Sequence, residues 1–171
     1  MRFKYRVKAR KSWSEKDRNE IRKAVSFAEK TFALEGPGNV LVKFCYFPDE
    51  YGSVVDLGDD RFVLYLSAGD TIDRAISTVF HEMWHIHQYI YDGLDMHETY
   101  AKFRGTKHKF SQEAPLEEYY AYPWEIEARA VEDTMLKAYT SRKKSVDKAV
   151  KNVYNEVRKL RKGKRFFPSM I

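Results

Sequence analysis

Between residues 72 and 90 the apolar side chains Ile72, Ile76, Val79, Phe80, Met83, Ile86 and Ile90 recur at three- and four-residue spacing. That period is one face of an amphipathic α-helix packed on a core. Asp70 can cap its start, and Asp73, three residues on, can complete a box-like arrangement, both acids being favourable at the positive helix end. The polar intrusions into this helix are His81, Glu82 and His85. Upstream, Ser12 or Ser14 can cap a first helix running to about Leu34, broken by Glu35-Gly36-Pro37-Gly38. Val40 to Phe47, Tyr51 to Leu57 and Arg61 to Leu66 read as strands from their β-branched and aromatic content, with Gly58-Asp59-Asp60 turning the chain between the last two. Near Phe103 to His108 the pattern lapses into a loop or a short hairpin. A helix starting near Pro123 should run to about Ser141, and a last one should occupy Ser145 to Leu160. No internal repeat is visible. The expected class is α+β, with a small mixed sheet of about three to four strands packed on helices.

Composition bounds this picture without changing it. The chain has 171 residues, 43% of them hydrophobic, enough for one proper core and a single domain. No apolar run approaches the roughly 20 residues of a membrane helix, and Met1 to Lys8 lacks the apolar stretch of a secretory signal, so a cytoplasmic protein is expected. The single cysteine, Cys45, lies in a strand-like run and reads as a small core residue.

The chemistry centres on His81-Glu82-Met83-Trp84-His85. Two imidazoles four residues apart on a helix project from one face, one turn apart, which suits a divalent metal. A glutamate beside the first can take a proton from metal-bound water, as a general base does in metal-dependent hydrolases. A tetrahedral catalytic zinc needs one more protein ligand. His87 faces away, roughly 200° round the helix from His85. His97 and His108 are candidates, and Tyr91 stands where an extended His-Glu-x-x-His-x-x-Gly-x-x-His form would need its last histidine. The stronger candidates are Glu125 and Glu127 in Tyr122-Pro123-Trp124-Glu125-Ile126-Glu127-Ala128-Arg129-Ala130; being two apart on a helix, only one can face the metal.

With Gln88, and a glutamate in a Trp-Glu-Ile-Glu-Ala segment, this pattern resembles a minimal gluzincin-type zinc metallopeptidase over about residues 40 to 135. It is similar to small phage-encoded peptidases and, more distantly, to the ImmA/IrrE-type proteases, whose third ligand lies in a Glu-Ala-Asn segment. The resemblance implies a zincin-like fold with Zn2+ held by His81, His85 and Glu127, and Glu125 as the alternative ligand. It implies Glu82 as general base in peptide hydrolysis, in the cytoplasm of a host if the chain is phage-encoded. Two features depart from the pattern. Val131 or Arg129 occupies the place of the acid that often orients a histidine, leaving Glu132, Asp133 and Asp95 as substitutes, and Arg129 replaces the Asn of Glu-Ala-Asn. Candidates to stabilise the oxyanion are Tyr119, Tyr120, Tyr122 and His108. An edge strand at Arg61 to Leu66 could take up an extended substrate peptide by strand addition.

Charge is unevenly distributed. Residues 1 to 35 carry net +6, residues 36 to 136 net −10 and residues 137 to 171 net +10. An acidic middle around the motif would attract cations, and the basic final helix, with Lys143, Lys144, Lys148, Lys151, Arg158, Lys159, Arg161, Lys162, Lys164 and Arg165, could meet nucleic acid. The plainer account is a solvated helix packed through Val146, Val150, Val153, Tyr154, Val157 and Leu160. Three functional classes follow: a zinc peptidase acting on protein or peptide, a catalytically inactive zinc-holding interaction protein, and a basic nucleic-acid-associated protein. A hybrid would resemble the SprT-like proteases that cut DNA-bound proteins.

Overall fold

The computed structural model describes residues 4–8, 13–36, 38–46, 52–109, 115–141 and 145–162. Ser12, Pro37, Phe47, Tyr51, Lys143, Lys144, Lys164 and Arg165 lie outside the described residues. The class is α+β, with one four-stranded and one three-stranded sheet among the described residues.

The first helix, α1 (Glu15–Thr31), is capped by Ser14, whose hydroxyl accepts from the Asp17 amide while the Asp17 carboxylate accepts from the Ser14 amide. It ends three residues short of the expected Leu34. Ala33 takes φ +50°, and the Leu34 amide reaches back to the Glu29 carbonyl at 3.1 Å. This is the closing bond of a Schellman cap, built on alanine where glycine is the usual signal.

The larger sheet runs in the order β1 (Lys4–Lys8), β2 (Asn39–Cys45), β4 (Arg61–Ser67), β3 (Gly52–Asp56). The first three are parallel, and β3 lies antiparallel on β4. The Arg61 to Leu66 strand is therefore internal and not an edge, because β2 and β3 take its two sides; the edges are β1 and β3. The β1 strand was no part of the expectation from periodicity. Its alternation is carried by Lys4, Arg6 and Lys8, so it reads as a charged lead-in.

The sheet packs against α1 and α2 (Ile72–Tyr91). The cap of α2 is Thr71, whose hydroxyl accepts from the Arg74 amide at 3.3 Å. Asp70, the expected cap, instead closes a turn through its amide to the Ser67 carbonyl. The stripe of α2 that faces the core buries Ala75, Ile76, Val79, Phe80, Met83, Trp84 and Ile86 against Phe32, Leu64 and Leu66. Each of the larger apolar side chains contributes about 1.5–3 kcal/mol by leaving water.

Residues 95–109 form the short antiparallel strands β5 (Asp95–Met96), β6 (Tyr100–Phe103) and β7 (Thr106–Lys109). The β6–β7 turn is Arg104-Gly105, both with positive φ (+50° and +77°), so the lapse in pattern is a tight hairpin. Leu94, Ala101, Phe103 and Trp124 make a small second core beneath it.

After α3 (Leu116–Tyr119), α4 (Pro123–Thr140) begins on proline and crosses α2. Finally α5 (Val146–Lys162) packs on α4 and α1, burying Ala149, Val153 and Val157. Among the described residues no helix is long and apolar enough to cross a membrane.

Candidate metal centre

Where α2 meets α4, His81 and His85 bring their Nε2 atoms to 3.1 Å from each other. Glu125, in the first turn of α4, faces both: one carboxylate oxygen lies 3.3 Å from His81 Nε2 and the other 3.1 Å from His85 Nε2. One ligand atom from each of the three residues lies within 4.8 Å of the others.

Glu127 is elsewhere, which corrects its expected place beside the histidines. It accepts two hydrogen bonds from the Arg104 guanidinium, at 2.7 and 2.6 Å, and one from Arg161 at 3.3 Å. The reason is helical phase. Residues two apart leave a helix on opposite sides, and Pro123 with the Trp124 carbonyl sets which side meets α2. That carbonyl accepts from Gln88 Nε2 at 3.1 Å, tying the first turn of α4 to α2.

The same glutamine fixes one imidazole. With its amide nitrogen donating to Trp124, its oxygen accepts from His85 Nδ1 at 2.7 Å. Glu132 does the equivalent for His81, accepting from Nδ1 at 3.1 Å and from Ser77 Oγ at 2.6 Å. This network assigns the Nδ1–H tautomer to both neutral rings and turns both Nε2 lone pairs toward Glu125. Of the acids weighed for orienting a histidine, Glu132 takes the role. Asp95 instead pairs with His97 at 2.9 Å, and Asp133 is exposed.

Two lone pairs and a carboxylate converging in a buried space repel one another unless a cation joins them. The Glu125 oxygen nearest His85 is buried and has no aligned hydrogen-bond donor. In the metal-free protein, protons supply the missing charge. Burial opposes a charge on His81, but its hydrogen bonds to Glu125 and Glu132 outweigh that and hold its pKa up at about 10. His85 is raised too, against burial, by Glu125. Burial would raise Glu125, yet the two imidazoles hold it well below the usual carboxylate range. Glu82 is 5% exposed, and burial raises its pKa. It lies beside edge strand β3: a Cβ built on Gly52 would sit 3.7 Å from Glu82 Cγ and only 2.4 Å from the Thr78 methyl, so this close approach needs glycine.

No known protein family, curated protein or solved structure matches this chain.

Of the four candidate oxyanion donors, the structure brings one to the cluster. Tyr119 is 38% exposed, but its hydroxyl lies on the Glu125 side; burial and that carboxylate raise its pKa. Tyr120 lies under the Arg129 guanidinium, 3.5 Å from its ring centre. Tyr122 stacks on Trp124 at 4.6 Å and donates to the Lys109 carbonyl. His108 sits edge-on to Trp124 at 5.5 Å. His87 does face away from the pair, stacked on Trp84 at 4.3 Å, and burial lowers its pKa to about 4.

Residues that periodicity did not single out hold the far side of the crossing. Arg104 and Arg161 grip both Asp92 and Glu127. The left-handed backbone at Arg104 is uncommon for a residue with a Cβ, and these ion pairs offset its cost. The available signal was Arg104-Gly105 as a turn dipeptide, which gives no hint of its partners.

Proposed function

We propose that the chain is a zinc-dependent peptidase of the gluzincin kind, with His81, His85 and Glu125 as the metal ligands. The observation that carries this reading is the convergence of two oriented Nε2 lone pairs and an undonated Glu125 oxygen within 4.8 Å. Two neutral histidines and one carboxylate are a donor set that zinc favours, and bound zinc supplies a polarised water and Lewis acidity.

The remaining steps belong to the protein. Glu82 adjoins a ligand in sequence, and its buried position raises its proton affinity, which suits a base that takes a proton from water and passes it to the leaving amine. Tyr119, whose hydroxyl lies on the Glu125 side of the cluster, would donate to the developing oxyanion. Glu132 and Gln88 keep the imidazoles in register. An extended substrate peptide would add to the outer edge of β3, beside Glu82, and not to β4.

A second reading, a non-catalytic metal holder, has the same three ligands but gives Glu82 no task. The decisive experiment measures zinc content and hydrolysis of denatured protein substrates by wild type and Glu82→Gln at equal metal occupancy. The expected result is one zinc per chain in both, with the rate falling about two to four orders of magnitude in the variant. Equal rates would remove Glu82 from the mechanism, and a wild type that takes up no zinc would end the proposal.

A further inference from the structure

Away from the metal centre, the C-terminal half of α4 and the length of α5 enclose a groove of about 580 Å³. Its charged lining is one-sided: Lys137 from α4, with Lys148, Arg158, Lys159 and Lys162 from α5, against the single acid Glu156. Glu156 pairs with Lys159 at 3.1 Å, which leaves a net charge of about four. On α5 the groove positions Lys148, Asn152, Asn155, Lys159 and Lys162 fall four, three, four and three residues apart. They form one stripe along the helix, about 21 Å long at 1.5 Å per residue.

We infer that this groove binds the phosphate backbone of double-stranded nucleic acid without reading its sequence. The inference goes beyond the peptidase reading and does not depend on it. The lining chemistry separates the candidate partners. An acidic protein partner would want aromatic or large apolar anchors at the centre of the contact. Single-stranded nucleic acid would want aromatic side chains on which to stack bases. Among the described residues neither kind lines this groove, whose only apolar member there is Ala138. What it does offer, ammonium and guanidinium groups interleaved with side-chain amides and hydroxyls, is the set that contacts phosphates and sugars. Arg161 contributes nothing, because its guanidinium is committed to Asp92 and Glu127.

The test uses the full chain and a fluorescent 20-base-pair duplex, with anisotropy titrations between 50 and 200 mM salt. Neutralising about four phosphates gives a slope of log K against log salt near −3.6. Lys148→Glu with Lys162→Glu should flatten the slope by about two and weaken binding at least thirtyfold at the lower salt. Lys151→Glu, on an exposed part of α5 outside the groove, makes the charge change of either single groove substitution and should cost less than threefold. Lys137→Glu, on the facing helix, serves if the α5 double variant does not fold. The inference is overturned by equal losses in Lys151→Glu, by tighter binding of a single strand, by displacement of duplex by polyglutamate at equal charge, or by no binding at 50 mM salt.

Discussion

Glu125 meets two imidazoles, while Glu127, two residues along the same helix, meets two guanidiniums. On the Glu127 side, Asp92 and Glu127 face Arg104 and Arg161, so two negative charges meet two permanent positive ones and each carboxylate accepts several hydrogen bonds. On the Glu125 side, Glu82, Glu125 and Glu132 surround rings that are neutral unless they bind protons. The first region is complete as it stands. The second is short of positive charge, and the shortfall lies where three ligand atoms converge. Completeness marks the first as structure, and the deficit marks the second as a site.

Exchanging the two glutamates' roles by mutation gives the largest expected effects. Glu125→Ala should weaken zinc affinity by about a thousandfold or more, with only a secondary loss of folding stability as the two imidazoles lose the carboxylate that pairs with them. Glu127→Ala should do the reverse: about 1–3 kcal/mol of stability lost in urea denaturation, because two guanidiniums lose one of their two shared carboxylates, with zinc stoichiometry kept. The comparison fails if both variants lose metal equally.

Next comes His87, on the complete side. Burial lowers its pKa to about 4, so between pH 6.5 and about 4 the unfolded chain takes up a proton that the folded one refuses. Stability should therefore fall as the pH drops through that window, by about 3 kcal/mol in total, and His87→Phe should show a correspondingly shallower slope in denaturation at several pH values.

Glu132→Gln, which keeps an acceptor for His81 but removes its charge, should weaken zinc binding about ten- to a hundredfold, as measured by competition with a chelator. The smallest effect is the proton linkage. Because metal-free His81 holds a proton up to about pH 10, zinc must displace it. The apparent affinity should rise about tenfold per pH unit above neutrality, and calorimetry in buffers of different ionisation enthalpy should detect one proton released.

Periodicity made the helix that carries His81 and His85 plain, and their spacing carried the proposed chemistry, because both follow from local geometry. The choice between Glu125 and Glu127 was not local. It depends on how α4 is rotated about its axis, which Gln88, Arg104 and Arg161 decide from three other elements. The resemblance to a Glu-Ala segment pointed to Glu127 for a reason that carried no information about rotation. Strand order was hidden similarly: Arg61 to Leu66 has the composition of either a central or an edge strand, and only its pairing with β2 on one side and β3 on the other makes it internal. Glu132 was visible as one acid among several, since its two-turn offset from Glu125 matters only once α4 is docked.

The order of elements along the chain also has a kinetic side. The β3–β4 hairpin and α2 are contiguous, so they can pair through short loops, carrying Glu82 and both histidines with them. Glu125 and Glu132 arrive only when α4 docks, across a 39-residue interval from His85 that includes the small sheet. That docking step gathers like charges, and so it should be the slow step of refolding without zinc. A dication present from the start would speed that step and tie the two helices together across the interval, which would make the proposed ion an assembly factor for the fold.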